Sequence, residues 1–309
     1  MDSSDFSYVK YCDLEIVTLQ ILSNEIWNTQ KIFLSDKPKS KKPVVKLYLC
    51  NNRDLIFSKS SFYRENVMRS GYYIGHHFGS PAYIKWVDEK NIFLACEDPG
   101  RIIWSYIIKV ILTLFSQKKK LLHLKGSSIE YKKKAFLVLG RGGSGKTEFC
   151  MKLCDRGARL MGNTHALVKG NNVFGIKTNI RIRKNDFENY VSLNSMSEFP
   201  FSHTWTPIGA IFWIHYRMDG INNIIKLESN TAYQNMRWFS EAIGTWELKE
   251  DIADYLNSDP LCFSNYMESI DSMIRQLCDE NLIYYINLDI WSNEGQKKVL
   301  DLMNTICKM

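Results

Sequence analysis

Several common features are missing from this sequence of 309 residues, and each absence excludes a class of protein. The eight cysteines include no C-x-x-C pair, which disfavours a zinc ribbon or a dithiol redox centre and predicts reduced thiols. The first fifteen residues are polar and acidic, unlike a signal peptide. The longest apolar run, residues 102–115, contains Lys109 and is too short to cross a bilayer, so it predicts a buried helix. We therefore expect a cytoplasmic protein with no membrane partner.

Positive charge is concentrated in the first part of the chain. Residues 1–134 contain 22 Lys and Arg against 13 Asp and Glu, whereas the remainder contains 18 against 20. The excess lies in lysine-rich segments at 37–42, 118–120 and 132–134. Such a region can attract an acidic peptide or a nucleic acid, but solvated loops explain it more simply. Because no RNA-binding signature appears, a nucleic-acid partner is not expected.

The segment Gly140-Arg-Gly-Gly-Ser-Gly-Lys-Thr147 has the form G-x-x-x-x-G-K-[ST] of a phosphate-binding P-loop. An apolar run at 135–139 predicts a buried strand before it, and residues 147–156 predict a helix after it. This order places a helix N-terminus at a phosphate group. The motif predicts a nucleoside triphosphate with Mg²⁺, with Lys146 bridging the β- and γ-phosphates and Thr147 holding the metal. ATP is the expected nucleotide, although the motif does not distinguish adenine from guanine. The predicted nucleotide-binding residues are Gly140, Gly142, Gly143, Ser144, Gly145, Lys146 and Thr147.

The remaining patterns predict a mixed α/β protein with a small β-rich N-terminal region over residues 1–100 and a P-loop nucleotide-binding core over residues 101–309. Strands outnumber those of a simple alternating α/β sheet. Predicted strands lie at 44–49, 54–59, 83–87, 91–95, 121–131, 158–161, 166–169, 173–176, 208–215 and 282–288. Predicted helices lie at 101–117, 230–243, 263–278 and 292–307.

Three segments resemble the C-terminal kinase domain of HPr kinase/phosphorylase. They are Leu121-Leu-His-Leu-Lys-Gly-Ser-Ser-Ile-Glu-Tyr131, the P-loop with its preceding strand, and Arg156-Gly-Ala-Arg-Leu-Met-Gly162. The resemblance covers residues 118–185 and extends to HPr-kinase-related proteins of peptide natural-product clusters, such as lasso-peptide kinases. It implies the fold shared with phosphoenolpyruvate carboxykinase, a compact mixed sheet with the P-loop in a β-rich core.

The resemblance also assigns roles to single residues. Gly140, Gly145, Lys146 and Thr147 match the nucleotide loop, and His123 matches a histidine on the preceding strand. The family's pair of aspartates, which helps to activate the acceptor and to position the metal, falls on Asn163-Thr164. Asn163 cannot accept a proton as a carboxylate does, although its side-chain oxygen can contact Mg²⁺.

Other side chains could compensate for the missing carboxylates. His165 and His123 could each take a proton from a hydroxyl at neutral pH, and the alternative for both is a hydrogen-bonded structural histidine. Arg181 and Arg183 alternate on a predicted strand and share a face that could hold a phosphate or an acidic substrate, or could simply be solvated. Asp289, at the end of the predicted strand 282–288, and Asp186 and Glu188 are candidate metal ligands.

The expected function is an ATP-dependent phosphotransferase that phosphorylates a hydroxyl of a peptide, a protein or a small molecule, with natural-product biosynthesis as a candidate setting. Two alternatives stay open because Asn163-Thr164 replaces the acidic pair. One is an enzyme that uses ATP for a different activation or hydrolysis reaction, and the other is a non-catalytic, nucleotide-dependent binding protein. A homo-oligomer is also open, since HPr kinases are hexameric as a family.

Overall fold

A computed structural model describes residues 5–27, 32–39, 41–50, 71–73, 82–88, 90–184, 187–191, 200–215, 223–237 and 259–309. Only the backbone is described at 71–73, 85, 181–184 and 187–191. The predicted strand 54–59, Asp186 and residues 238–243 of a predicted helix lie outside these ranges. The chain divides into two compact units, Met1–Lys118 with Trp246–Asn265, and Lys119–Thr245 with Tyr266–Met309.

The first unit contains a mixed six-stranded sheet. Its strands are β1 (Tyr8–Asp13), β2 (Thr18–Ser23), β3 (Val44–Leu49), β4 (Gly71–Tyr73), β5 (Ala82–Trp86) and β6 (Asn91–Cys96). The spatial order is β1-β2-β3-β6-β5-β4, in which β2, β3 and β6 run parallel and the other pairs run antiparallel. Val45, Leu47, Ile84 and Ile92 are fully buried, because alternate residues of each strand face the core.

Helix α1 (Pro99–Lys118) follows β6 and includes a π-helical turn at Ile103–Ile107. It begins at Asp98, whose carboxylate accepts the backbone N–H of Arg101 and so satisfies a free helix donor. With 20 residues and a mean hydropathy of 1.2, α1 is long and apolar enough, by length and composition, to cross a membrane. However, 67% of its most apolar window is buried inside the protein. Such burial is typical of a core helix in a soluble protein.

The second unit is built on a nine-stranded mixed sheet, with a separate two-stranded sheet. The nine strands are β7 (Leu122–Lys125), β8 (Ser127–Tyr131), β9 (Lys134–Leu139), β10 (Arg159–Gly162), β11 (His165–Lys169), β12 (Asn172–Gly175), β15 (Thr206–His215), β16 (Asn223–Lys226) and β17 (Ile283–Asn287). The separate pair is β13 (Ile180–Lys184) and β14 (Phe187–Val191). The helices are α2 (Lys146–Cys154), α3 (Ser229–Met236), α4 (Pro260–Glu280, of which residues 266–280 belong to this unit) and α5 (Asn293–Ile306).

Three parallel strands lie at the centre of this sheet. β15 pairs with β9 on one side and with β17 on the other, with Trp213 opposite Leu139 and His215 opposite Asn287. The carboxyl ends of all three strands therefore meet at one edge, which is where ligands bind in open α/β sheets. Buried Phe136 and Phe212 stack at 5.2 Å between ring centroids and fix the packing of β9 against β15.

The sheet continues on both sides of these parallel strands. Its main path is β10-β8-β9-β15-β12-β11-β7, and β16 pairs with β17 beyond β15.

With two mixed sheets and five helices in the described part of the chain, the predicted mixed α/β class is confirmed.

The segment predicted as one strand over residues 121–131 is two strands, so this prediction is wrong in detail. β7 pairs with β11, whereas β8 pairs with β9 and β10. The change occurs at Gly126, whose N–H donates to the carbonyl of Thr164 at 2.9 Å. A Cβ at this position would lie 2.7 Å from Leu139 Cδ2 and 3.0 Å from the Val138 carbonyl oxygen, so only glycine fits without a shift.

Candidate functional site

The predicted phosphate loop connects β9 to α2 at the carboxyl edge of the parallel strands. Its residues Gly140, Gly143 and Gly145 have φ angles of 153°, 77° and 82°. L-residues rarely adopt these angles, so the glycines of the motif are needed for the backbone path itself. Gly145 is the N-cap of α2, and Lys146 is the first residue of the helix. The free N–H groups of this helix start therefore point into the loop.

The loop is also held against the neighbouring strand. An ideal Cβ on Gly140 would lie 2.7 Å from the carbonyl oxygen of Ile214, near the end of β15. Ser144, which is buried, donates its N–H to the Arg141 carbonyl at 3.1 Å and closes a turn inside the loop. A larger residue at position 140 would push the loop away from β15.

Lys146 folds back over the loop. Its Nζ donates to the carbonyl oxygens of Gly140 and Arg141, both at 2.7 Å. Burial, followed by the positive charge of Lys125, lowers the pKa of Lys146 to about 8. The ammonium is thus partly desolvated, in the position from which it can exchange carbonyl contacts for phosphate oxygens.

The second residue of α2, Thr147, connects the loop to the end of β10. Thr147 Oγ1 donates to Asn163 Oδ1 at 2.9 Å. The carbonyl of Asn163 in turn accepts the hydroxyl of Ser127, the first residue of β8, at 2.6 Å. Two predicted site residues, Thr147 and Asn163, are therefore in direct contact, although 16 positions separate them in sequence.

The two predicted histidines also meet. His123 Nε2 and His165 Nδ1 lie 3.1 Å apart, on the paired strands β7 and β11. The exposed fraction is 1% for His123 and 0% for His165. One ring nitrogen must donate and the other accept, so the pair links the two strands next to the Asn163-Thr164 turn. Neither imidazole lies open to solvent.

The arginine pair belongs to a different part of the second unit. Arg181 and Arg183 occupy alternate positions of β13, opposite Tyr190 and Glu188 of β14. Their side chains lie outside the described atoms, as does the side chain of Glu188. Their predicted contact with a phosphate or an acidic substrate therefore stays a prediction.

Asp289, a candidate metal ligand by sequence, follows β17 at the carboxyl edge. Its carboxylate accepts the N–H of Trp291 at 3.0 Å, and its carbonyl accepts the hydroxyl of Ser292 at 2.8 Å. Ser292 caps helix α5, so Asp289 belongs to the turn that starts this helix. The indole of Trp291 lies under Lys152 Nζ at 4.5 Å and joins the turn to helix α2.

Sequence reasoning missed two residues at this edge. His215 ends β15 and is exposed, next to the Ile214 carbonyl that contacts the loop. Together with Ser144, Gly145 and Leu288 it lines a small pocket beside the loop. Lys125 ends β7 and is exposed. A strand that ends in histidine could have indicated His215. No sequence pattern distinguishes Lys125 from the other lysines before the loop.

The loop residues, with Thr147 and Asn163, have the donor atoms that suit a magnesium nucleotide. The described residues contain no cluster of three or more His, Cys, Asp or Glu side chains suited to a metal ion. Thr147 and Asn163 nevertheless place a hydroxyl and an amide oxygen side by side. Mg²⁺ in nucleotide sites commonly takes one or two protein oxygens and completes its shell with phosphate oxygens and water. The donor set thus suits a metal that arrives with its nucleotide.

No family model matches this chain, and no curated protein shows significant similarity to it. The functional argument therefore depends on the residues of the site.

Proposed function

We propose that this protein is an ATP-dependent phosphotransferase of the HPr-kinase-like type, with its nucleotide on the loop from Gly140 to Thr147. The observation that carries the proposal is the 2.9 Å hydrogen bond from Thr147 to Asn163. It joins the hydroxyl expected to hold Mg²⁺ to the position of the family's acidic pair. The proposal includes the finer fold, an HPr-kinase/phosphoenolpyruvate-carboxykinase-like P-loop core with a small β-rich N-terminal region.

The proposed chemistry needs little covalent help from the protein. The acceptor hydroxyl oxygen forms a bond to the γ-phosphorus, the bond from that phosphorus to the β,γ-bridging oxygen breaks, ADP leaves, and the hydroxyl proton is released to water. The loop N–H groups and Lys146 hold the phosphates, while Thr147 and Asn163 would hold Mg²⁺, which neutralises phosphate charge when bound. Positioning and charge neutralisation supply most of the rate in such reactions, so a neutral Asn163 is compatible with transfer.

The histidine pair is best suited to positioning. His123 and His165 are buried and contact each other, which favours a role in holding β7 and β11 together over direct proton transfer from an acceptor. β11 follows the Asn163-Thr164 turn directly. The pair would thus fix the turn that carries Asn163.

Transfer of labelled phosphate tests this proposal. The full chain is incubated with γ-labelled ATP, Mg²⁺ and peptides that carry serine or threonine, and the expected result is a labelled peptide with ADP as coproduct. Lys146→Ala should abolish labelling. The matched control is Lys169→Ala, because Lys169 is exposed at the opposite end of β11 from His165. Release of AMP or pyrophosphate would contradict phosphoryl transfer and favour a different ATP-dependent activation.

A nucleotide-dependent binding protein without turnover is the second candidate. Two observations favour it: Asn163 has a neutral amide, and both histidines are buried. Among the predicted catalytic side chains that the structure describes, neither an exposed imidazole nor a carboxylate is therefore available to take the acceptor proton. Under this alternative the protein binds ATP with micromolar or tighter affinity but forms no ADP, with or without peptides and small alcohols. Detection of ADP that disappears in Lys146→Ala excludes it.

A further inference from the structure

Lys125 ends strand β7 next to the Asn163-Thr164 turn, a position that its sequence context does not indicate. It is the last residue of β7, and it is opposite His165 in the pairing with β11. The two residues that follow are tied to the Asn163-Thr164 turn. Gly126 donates its N–H to the Thr164 carbonyl at 2.9 Å, and Ser127 donates its hydroxyl to the Asn163 carbonyl at 2.6 Å. Lys125 therefore borders the turn whose Asn163 side chain contacts Thr147.

Lys125 and Lys146 form a pair of like charges at this site. The positive charge of Lys125 is the second cause, after burial, of the lowered pKa of Lys146. Neither ammonium forms an ion pair with a carboxylate of the described residues. Glu148, on the same helix as Lys146, offsets the repulsion only in part. Two cations at one site, of which Lys146 is partly desolvated, favour a ligand with several negative charges.

The neutral turn is part of this arrangement. Asn163 and Thr164 carry no charge, so the turn that they form does not neutralise Lys125 or Lys146. A carboxylate at position 163 would instead lie next to the Thr147 hydroxyl and draw a nearby ammonium toward itself. The replacement of an acidic pair by Asn-Thr thus leaves both lysines available for the ligand.

We propose that Lys125 is a second phosphate-binding lysine, which contacts the terminal phosphate of the bound nucleoside triphosphate from the side of the Asn163 turn. This inference rests on the proposed function, since it assumes a nucleotide on the loop. Lys146 lies over the loop and contacts its carbonyls, whereas Lys125 lies across the turn from Thr147. The two lysines would neutralise a terminal phosphate from two sides.

The affinities for ATP and ADP, measured by calorimetry on the full chain with Mg²⁺, test the inference. Lys125→Met keeps the aliphatic stem and removes the charge. A lost charge-assisted contact corresponds to about tenfold to hundredfold in affinity for ATP. The affinity for ADP should change by less than about threefold, because ADP lacks the terminal phosphate. Lys125→Arg should retain most of the ATP affinity, and the control Lys169→Met should leave both affinities unchanged.

The possible outcomes separate this inference from the proposed function. If the unmodified protein binds ATP and Lys125→Met leaves the ratio of ATP to ADP affinity unchanged, the role of Lys125 is wrong and the proposed function stands. Equal losses for ATP and ADP also overturn it, because the contact would not be with the terminal phosphate. If the unmodified protein binds neither nucleotide, the proposed function fails and the inference fails with it. Thermal unfolding of Lys125→Met and Lys125→Arg checks that both variants are folded.

Discussion

At the scale of single residues, Lys146 links the structure of the loop to a measurable pH dependence. Its pKa is lowered to about 8, first by burial and then by Lys125, whereas an ordinary lysine titrates near 10.4. Bound phosphate stabilises the charged form and raises this pKa. Below pH 8 the free protein already holds the proton, so binding takes up none. Above pH 8 binding must take up a proton, which opposes it.

We therefore expect ATP affinity to fall above pH 8, by up to about tenfold per pH unit while the amine is neutral in the free protein and charged in the complex. Calorimetry between pH 7 and 10, in buffers with different heats of ionisation, measures both the affinity and the proton uptake. Lys146→Arg, which stays charged throughout, should flatten the profile. An unchanged slope in this variant would assign the pH dependence to another group.

A second residue-scale prediction concerns the contact between Thr147 and Asn163. Asn163→Asp places a carboxylate next to the Thr147 hydroxyl, and Mg²⁺ prefers such an anionic oxygen. The Mg²⁺ concentration needed for half-maximal ATP binding should decrease in Asn163→Asp and increase in Thr147→Val. Titration with Mg²⁺ at fixed ATP measures it. Asn172→Asp, at the start of β12, is the control. If neither variant moves the midpoint, the Thr147–Asn163 pair has only a structural role.

At the scale of secondary-structure elements, Gly126 decides how the chain passes from β7 to β8. A Cβ there would meet the backbone oxygen of Val138 at 3.0 Å and Leu139 Cδ2 at 2.7 Å, and a backbone atom of β9 cannot move aside easily. Gly126→Ala should lower the free energy of unfolding by about 1–3 kcal/mol. Urea unfolding followed by circular dichroism measures it.

Gly142→Ala is the matched control for this stability measurement, because a Cβ at Gly142 meets nothing within 4 Å. Its free energy of unfolding should change by less than about 0.5 kcal/mol. Equal stability in the two variants would mean that the β7–β8 junction adjusts to a side chain and that the close approach to β9 has no energetic cost.

The elements also show how far local pattern predicts structure. Strands β3 and β6 and the P-loop strand β9 lie within a residue of their predicted bounds, because short apolar runs bounded by polar turns are unambiguous. The run 121–131 reads as a single strand in the sequence, although it contains Gly126. Only the pairing partners, β11 for one half and β9 with β10 for the other, divide it.

At the scale of the whole molecule, every strand of the nine-stranded sheet and the complete predicted phosphate loop lie in the second unit. A unit with its own core can fold by itself. We therefore expect residues 119–309, with 246–265 replaced by a Gly/Ser segment of equal length, to unfold cooperatively and to bind ATP within about threefold of the full chain. Thermal unfolding and calorimetry measure these properties. A fragment that is folded but does not bind ATP would contradict this expectation.

The sequence by itself determined the backbone path of the loop from Gly140 to Thr147, because the glycine spacing specifies that path locally, and it predicts a phosphate ligand there. It also determined the mixed α/β class and drew attention to Asn163, His123 and His165 as candidates. Only the tertiary structure decided that Thr147 contacts Asn163, that the two histidines are buried against each other, and that Lys125 borders the Asn163-Thr164 turn. These contacts join residues from different strands, and the order of strands in the sheet depends on the packing of the whole core, which no local pattern encodes.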